Sequence, residues 1–228
     1  MQLIIKNISK SFKEKEVLKD LSFTFEQGKI YALLGRNGVG KTTLFNIIAN
    51  ELDKDSGSIQ ILDENNKLRN IEYTDIFLMV AEPILPKFLT GYEFIKFFME
   101  ANHKNIDNID QLFDEIELNL QDRHRLINSY STGMKNKLQM MMFIILKPKI
   151  ILMDEPLTSL DVIMQLQIKK LIKTMQYNHI MIFSTHILQL AKDLCDDIVI
   201  LNDKSLNYVN INNADENFEN EIIEILKG

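Results

Sequence analysis

The chain has 228 residues and one cysteine, Cys195. No internal disulfide can form, which suits a reducing compartment. No apolar run approaches the roughly 20 residues that span a bilayer. The longest, residues 140–146, has seven, so any membrane role has to come through a partner. An excess of positive charge is missing as well. The 26 Lys and Arg are outnumbered by 32 Asp and Glu, for a net charge of −6. That removes the global basic signature of a nucleic-acid binder while leaving room for a local basic groove. Met1-Gln2-Leu3-Ile4-Ile5-Lys6 lacks the charged-then-apolar layout of a secretory signal. There is no internal repeat and no low-complexity linker. His103 and His124 have no second ligand at metal spacing and receive no role. What remains is an ordinary globular composition, 46% hydrophobic and 25% charged. It is long enough for one large domain or two intimately packed ones.

Gly35-Arg36-Asn37-Gly38-Val39-Gly40-Lys41-Thr42 organises the rest. It fits the phosphate-loop pattern G-x-x-x-x-G-K-[ST] at every fixed position. The apolar run Ile30–Leu34 before it reads as a buried strand, and residues 43–49 after it have helical spacing. The glycines let backbone N–H groups converge on one point, and the helix N-terminus adds a positive dipole end there. Lys41 can then reach terminal phosphates, and the Thr42 hydroxyl can hold Mg²⁺.

Around this loop the elements follow in order. Residues 3–8 and 17–25 alternate apolar and polar, predicting two or three antiparallel strands with a turn through Lys13-Glu14-Lys15. Phe12, in that connection, is either a base-stacking aromatic or a partly buried core residue. A turn at 53–57 and a strand at 58–62 come next, then a polar loop at 63–70 and a buried strand at 75–80. Residues 88–127 switch to helical spacing, with Phe94, Phe97 and Phe98 as a helix-core stripe. An apolar helix runs to Leu146, and its Met140-Met141-Met142 triplet reads as core filler. Ile150-Ile151-Leu152-Met153 then delivers Asp154 and Glu155 to a strand's C-terminal end, where open α/β sheets place their chemistry. Val162–Met175 reads as an amphipathic helix with Val162, Leu166, Leu171 and Met175 on one side. A strand at 179–184 leads to His186, residues 197–202 and 205–209 read as a hairpin-like pair, and 215–226 reads as a helix.

Asp154 after a buried strand reads as the carboxylate that orients Mg²⁺ opposite Thr42. Glu155 can polarise an attacking water, and His186, at the tip of the next core strand, can reach that water or a γ-phosphate. Together these residues resemble the nucleotide-binding subunit of ATP-binding-cassette (ABC) transporters over nearly the whole chain. Gly35 to Thr43 matches the Walker A loop, with Gly35, Asn37, Gly38, Gly40, Lys41, Thr42 and Thr43 at nucleotide-binding positions. Phe12 matches the aromatic that stacks on adenine. Tyr130-Ser131-Thr132-Gly133-Met134 matches the signature, usually Leu-Ser-Gly-Gly-Gln, and keeps Ser131 and Gly133. The resemblance assigns those two to the partner subunit's γ-phosphate. Residues 150–154 match Walker B, Glu155 the catalytic carboxylate, His186 the switch histidine, and Ser159-Leu160-Asp161 the D-loop at the dimer contact.

The resemblance implies an α/β fold. A RecA-like, mostly parallel phosphate-loop NTPase core (29–52, 74–84, 147–210) is joined by an antiparallel β-subdomain (1–28, 53–73). An inserted helical subdomain (85–146) and a C-terminal helix (211–228) complete the expectation. ATP and Mg²⁺ are the implied cofactors. A second ATPase subunit, the same or different, and a separate multi-span membrane permease are the implied partners; nucleic acid is not expected. The implied place is the cytoplasmic face of the cell membrane. Absence of a large appended regulatory domain, together with the signature variant, favours export of a drug or peptide. The family also has a glutamine at the end of the strand at 75–80, but no glutamine occurs between Gln60 and Gln111. Ala81 takes its position. Either Glu82 supplies a carboxylate to the metal in its place, or nothing does and catalysis or coupling is weaker. Other classes fit less well. A soluble ABC ATPase of translation or DNA repair would carry two fused cassettes or a long coiled-coil insert. A phosphate-loop kinase would not explain the signature or D-loop. A dead cassette would not keep Lys41, Asp154, Glu155 and His186.

Overall fold

The structure is a computed structural model that describes residues 1–157, 160, 162–210, 222, 224 and 225. Strands β1 (Gln2–Phe12) and β2 (Lys15–Glu26) pair antiparallel around a two-residue turn, Lys13-Glu14. Leu3, Ile5 and Ile8 are all buried, although Ile8 breaks the two-residue period. A register shift between Ile5 and Ile8, with Asn7 at φ +52°, absorbs the extra residue and returns Ile8 to the core face. Strand β3 (Ile30–Leu34) is buried at all five positions and feeds α1 (Lys41–Ile48). Strand β4 (Ser56–Leu62) adds to β1.

Within the expected loop at 63–70, Leu68–Asn70 form a short edge strand, β5, on β4. Its three residues carry no apolar alternation. Arg69 instead grips Asp75 through two nitrogens, at 2.5 and 2.7 Å. Asp75, 4% exposed, also accepts from the Glu72 N–H and from Lys149 at 3.1 Å. Burial alone would raise its pKa, but Arg69, the Glu72 N–H and Lys149 outweigh burial and hold it at about 2, below the usual 3.8. A depressed carboxylate pKa stabilises the fold above the unfolded value, and that stability is lost as pH falls through the folded one. Asp75→Asn is therefore expected to cost about 2 kcal/mol at pH 7 and to flatten the stability curve between pH 4 and pH 2. Urea unfolding across that window measures both; an unchanged acid limb would rule the role out.

Asp75 leads into β6 (Ile76–Met79). Then come α2 (Gly91–Ala101), α3 (Ile109–Glu115), α4 (Leu120–Arg123) and α5 (Thr132–Leu146). The remaining elements are β7 (Ile150–Asp154), α6 (Val162–Met175), β8 (Ile180–Thr185), α7 (Leu188–Leu194), β9 (Asp197–Asn202) and β10 (Ser205–Asn210). Helix α7, seven residues long, carries too little periodic pattern to be predicted from the sequence. The second sheet runs β10-β9-β3-β8-β7-β6, parallel except at the β10 edge. Its strands are apolar on both sides because both faces are covered. Tyr31, Leu33, Ile150, Leu152 and Ile182 pack toward α1 and the antiparallel sheet. Ala32, Leu34, Ile151, Met153 and Phe183 pack toward α5, α6 and α7, together with Ile222. Of the expected C-terminal helix, only residues 222, 224 and 225 are described. The Ile225 carbonyl accepts from Asn202 Nδ2 at 2.6 Å.

Helix α5 is buried on two faces. Met140 and Phe143 join the sheet's core, while Leu138, Met141 and Ile145 join a cluster with Ile95 and Phe113 of α2 and α3. That explains the methionine triplet, of which Met140 and Met141 are buried. Two sequence expectations need correction. Phe94 is buried and Phe98 partly so, but Phe97 is 60% exposed. Phe94, Ile95, Phe98 and Met99 share one face of the helix, and residue 97 turns well away from it. On α6 the covered side is Ile168, Leu171, Ile172 and Met175, whereas Val162 and Leu166 are exposed. At about 100° per residue, 162 and 166 lie opposite 171 and 175.

Candidate functional site

Three neighbouring parallel strands, β3, β8 and β7, end side by side and carry Gly35, Thr185-His186 and Asp154-Glu155 at their C-terminal ends. The loop after β3 is folded tightly. A Cβ on Gly35 would lie 2.7 Å from the Leu201 carbonyl oxygen, so only glycine fits. Gly40 caps α1 at φ +117°, a conformation other residues rarely adopt. Lys41 bends back over the loop and donates to the Gly35 and Arg36 carbonyls at 2.7 and 3.2 Å. It is 6% exposed and lies 3.8 Å from Glu155 Oε1. Burial lowers its pKa, and the charges of Glu155 and Asp154 oppose that shift.

Thr42 Oγ1 donates to Asp154 Oδ2 at 2.7 Å. The other oxygen, Oδ1, accepts from Ser184 Oγ at 2.5 Å, and that hydroxyl in turn accepts from Glu155 N at 2.9 Å. Ser184 is fully buried opposite Asp154 in the β7–β8 register. It therefore fixes both carboxylate residues, a role invisible without the strand pairing. Glu155 itself takes φ +49°, leaving the strand's alternation. Its Oε1 faces His186 Nδ1 at 3.0 Å.

A cleft of about 590 Å³ collects most of the expected residues. Phe12 comes from β1, Asn37, Gly38, Gly40, Lys41, Thr42 and Thr43 from the loop and α1, and Asp154 and Glu155 from the end of β7. Lys15 and Val17, which the sequence did not single out, line it too, and so does Ala81, at the position of the missing glutamine. Phe12 is 46% exposed, with Lys10 Nζ 5.5 Å from its ring centroid. Lys10 is itself anchored on Asp55 at 3.1 Å. Gly35 and His186 border an adjoining hollow of about 270 Å³. The structure does not bring Ser131 and Gly133 into the cleft. Ser131 is the exposed N-cap of α5, accepting from Met134 N at 3.3 Å, and Gly133 is buried against Met164. Tyr130 anchors that loop by donating to the Asp122 carbonyl at 2.5 Å. Glu82 is exposed and does not line the cleft; Ala81 does. Ser159 and Asp161 lie outside the described residues.

The arrangement offers a glycine loop at the N-terminus of α1, the two lysines Lys15 and Lys41, and two carboxylates, a set suited to a polyphosphate. Thr42 and Asp154 present hard oxygen donors side by side, which fits Mg²⁺. Among the described residues no helix is long and apolar enough to cross a membrane. The family model for ABC transporters matches residues 18–158. The uncharacterized ABC transporter ATP-binding protein YdbJ of Bacillus subtilis is 30% identical over 228 residues, covering 98% of this chain and 74% of the relative. The lantibiotic transport ATP-binding protein SrtF of Streptococcus pyogenes is 29% identical over 226 residues, 97% of each chain. An ATP-binding cassette solved as a dimer in a post-hydrolysis state, bound to ADP and Pi, superposes with a TM-score of 0.79. It has 21% identity and covers 92% of this chain and 98% of that one. The match over the phosphate loop and both strand-end carboxylates, on this fold, places the chain in the ABC transporter family as an ATP-hydrolysing subunit.

Proposed function

We propose that the chain closes in pairs over two Mg-ATP and so drives conformational change in a separate membrane permease. One observation carries this reading: the cleft holds the phosphate loop, Asp154 and Glu155, while Ser131 and Gly133 lie outside it. The site is complete only when a second subunit brings its own Ser131 and Gly133. Phe12 stacks on the base, Lys41 and the loop N–H groups hold the phosphates, and Thr42 and Asp154 hold the metal. Mg²⁺, when bound, neutralises charge developing on the phosphate oxygens. Glu155 orients and deprotonates the attacking water, and His186, hydrogen-bonded to Glu155, steadies that carboxylate. Closure excludes water from the site, and because ATP favours the closed pair, binding energy becomes motion in the attached permease.

This reading puts the chain on the cytoplasmic face of the membrane, held there by the permease. Similarity to a lantibiotic transport protein supports export of a peptide or drug. The test is capture of partners by Glu155→Gln with ATP from gently solubilised native membranes. A multi-span membrane protein in stoichiometric amount is expected. Ribosomal or DNA-processing proteins would overturn the transport reading.

Phe12→Ala gives a second check. A base–aromatic stack is worth about 1–3 kcal/mol, so ATP should bind roughly five- to 150-fold more weakly. Binding of inorganic triphosphate, which has no base, should be unchanged. Equal weakening of both ligands in calorimetric titration would refute stacking.

A further inference from the structure

Gln139 makes a contact that no motif accounts for. It sits in the third turn of α5 at 4% exposure. Its Oε1 accepts from the Val80 N–H at 3.2 Å, and its Nε2 donates to the Val80 carbonyl at 3.0 Å. At 3.5 Å the same Nε2 also donates to Asn136 Oδ1, another buried side chain of α5. The amide thus pairs with main chain as a neighbouring strand would, and two parallel bonds fix rotation as well as distance. A single bond would leave a pivot.

The two ends of this contact are functional. Val80 directly follows β6, and the next residue, Ala81, lines the nucleotide cleft. The register sets Met79 opposite Met153, so Val80 comes level with Asp154. At the other end, α5 starts at the Ser131 cap, eight residues before Gln139 and about 12 Å away along the axis. Phe77 of β6 also meets Phe143 of α5 edge-on, with centroids 5.9 Å apart. Sliding of α5 against the end of β6 would break both polar bonds at once and strand buried amide atoms.

We propose that Gln139 is a positioning residue: it ties the helix that presents Ser131 and Gly133 to the segment lining the nucleotide cleft, so that an occupied cleft sets the orientation α5 offers to the second subunit. This inference rests on the paired-subunit reading above. It gives the signature helix a fixed attachment within its own chain, at the strand end where Ala81 itself brings no polar side chain.

The test uses the full chain carrying Glu155→Gln as reference, because it holds ATP without turnover. Gln139→Met keeps the side-chain length and removes both bonds, while Gln139→Glu keeps only the acceptor. Binding of a fluorescent ATP analogue is measured on dilute monomer, and ATP-dependent dimerisation by sedimentation. The expected result is nucleotide affinity within about twofold of the reference, with the dimer weakened by about tenfold or more, a typical coupling between sites. Dimerisation equal to the reference would overturn the inference, as would a matching loss of nucleotide affinity, the mark of general destabilisation. Should Gln139→Met lose its folded circular-dichroism spectrum, Gln139→Glu carries the same comparison. A reference chain that stays monomeric with ATP removes the paired-subunit reading and this inference with it. A dimerising reference with unaffected variants removes the inference alone.

Discussion

Glu155→Gln is expected to lower ATP turnover by roughly two to four orders of magnitude, the usual contribution of a positioned general base, while ATP binding persists. The substitution keeps the shape of the side chain and an oxygen that can accept from His186, so the 3.0 Å contact survives. What goes is the negative charge and the basic lone pair. Binding should even gain, because Glu155 lies 3.8 Å from Lys41, the proposed phosphate contact. One fewer carboxylate there means less repulsion. Two measurements check this: phosphate release in steady state, and retention of labelled ATP on gel filtration. The nucleotide is expected to co-elute at twice the monomer mass. Wild-type turnover in this variant would exclude Glu155 as the base, and monomeric elution with ATP bound would exclude the closed pair.

Lys41→Met is expected to abolish tight ATP binding, with a loss of about two to three orders of magnitude in affinity. The ammonium is almost fully buried and is bent onto two loop carbonyls. Burial works against its charge, and the carboxylates of Glu155 and Asp154 work for it. Two unit charges 4 Å apart at an effective dielectric of 20 interact by about 4 kcal/mol. Even after desolvation takes its share, losing the cation leaves the triphosphate facing those two carboxylates with less to offset them. Methionine fills much of the same volume, so the fold should hold. Calorimetric titration with ATP and a parallel thermal melt separate the outcomes. Unchanged affinity would remove Lys41 from the phosphate site. A collapsed melting temperature would show that its structural bonds, rather than its charge, were what the substitution removed.

The make-up of the candidate cleft was legible in the sequence because it depends on short local patterns. A glycine loop between a buried strand and a helix, and a carboxylate pair after four apolar residues, each specify geometry over only a few positions. The long-range facts were not legible. Leu68–Asn70 gives no strand signal, and pairing with β4 alone makes it one. Phe97 looks like core until the rotation of α2 is known. The exposed side of α6 looks like a packing face in the sequence, because Val162 and Leu166 are apolar, yet they lie opposite the face that packs. Ser184 and Gln139 show the same gap at the site: their partners are 30 and 59 residues away in sequence.

By itself, then, the sequence determined the phosphate-loop pattern, the strand–loop–helix around it and the resemblance to one family, since local covalent order is enough to specify them. Only the tertiary structure decided which side chains meet. Sheet order puts β8 between β3 and β7, so Ser184 reaches Asp154 and His186 reaches Glu155. The same packing holds α5 against β6, leaving Ser131 and Gly133 outside their own cleft and Gln139 clamped to Val80. Such contacts follow from burial of faces set by non-local pairing, and no local pattern encodes them.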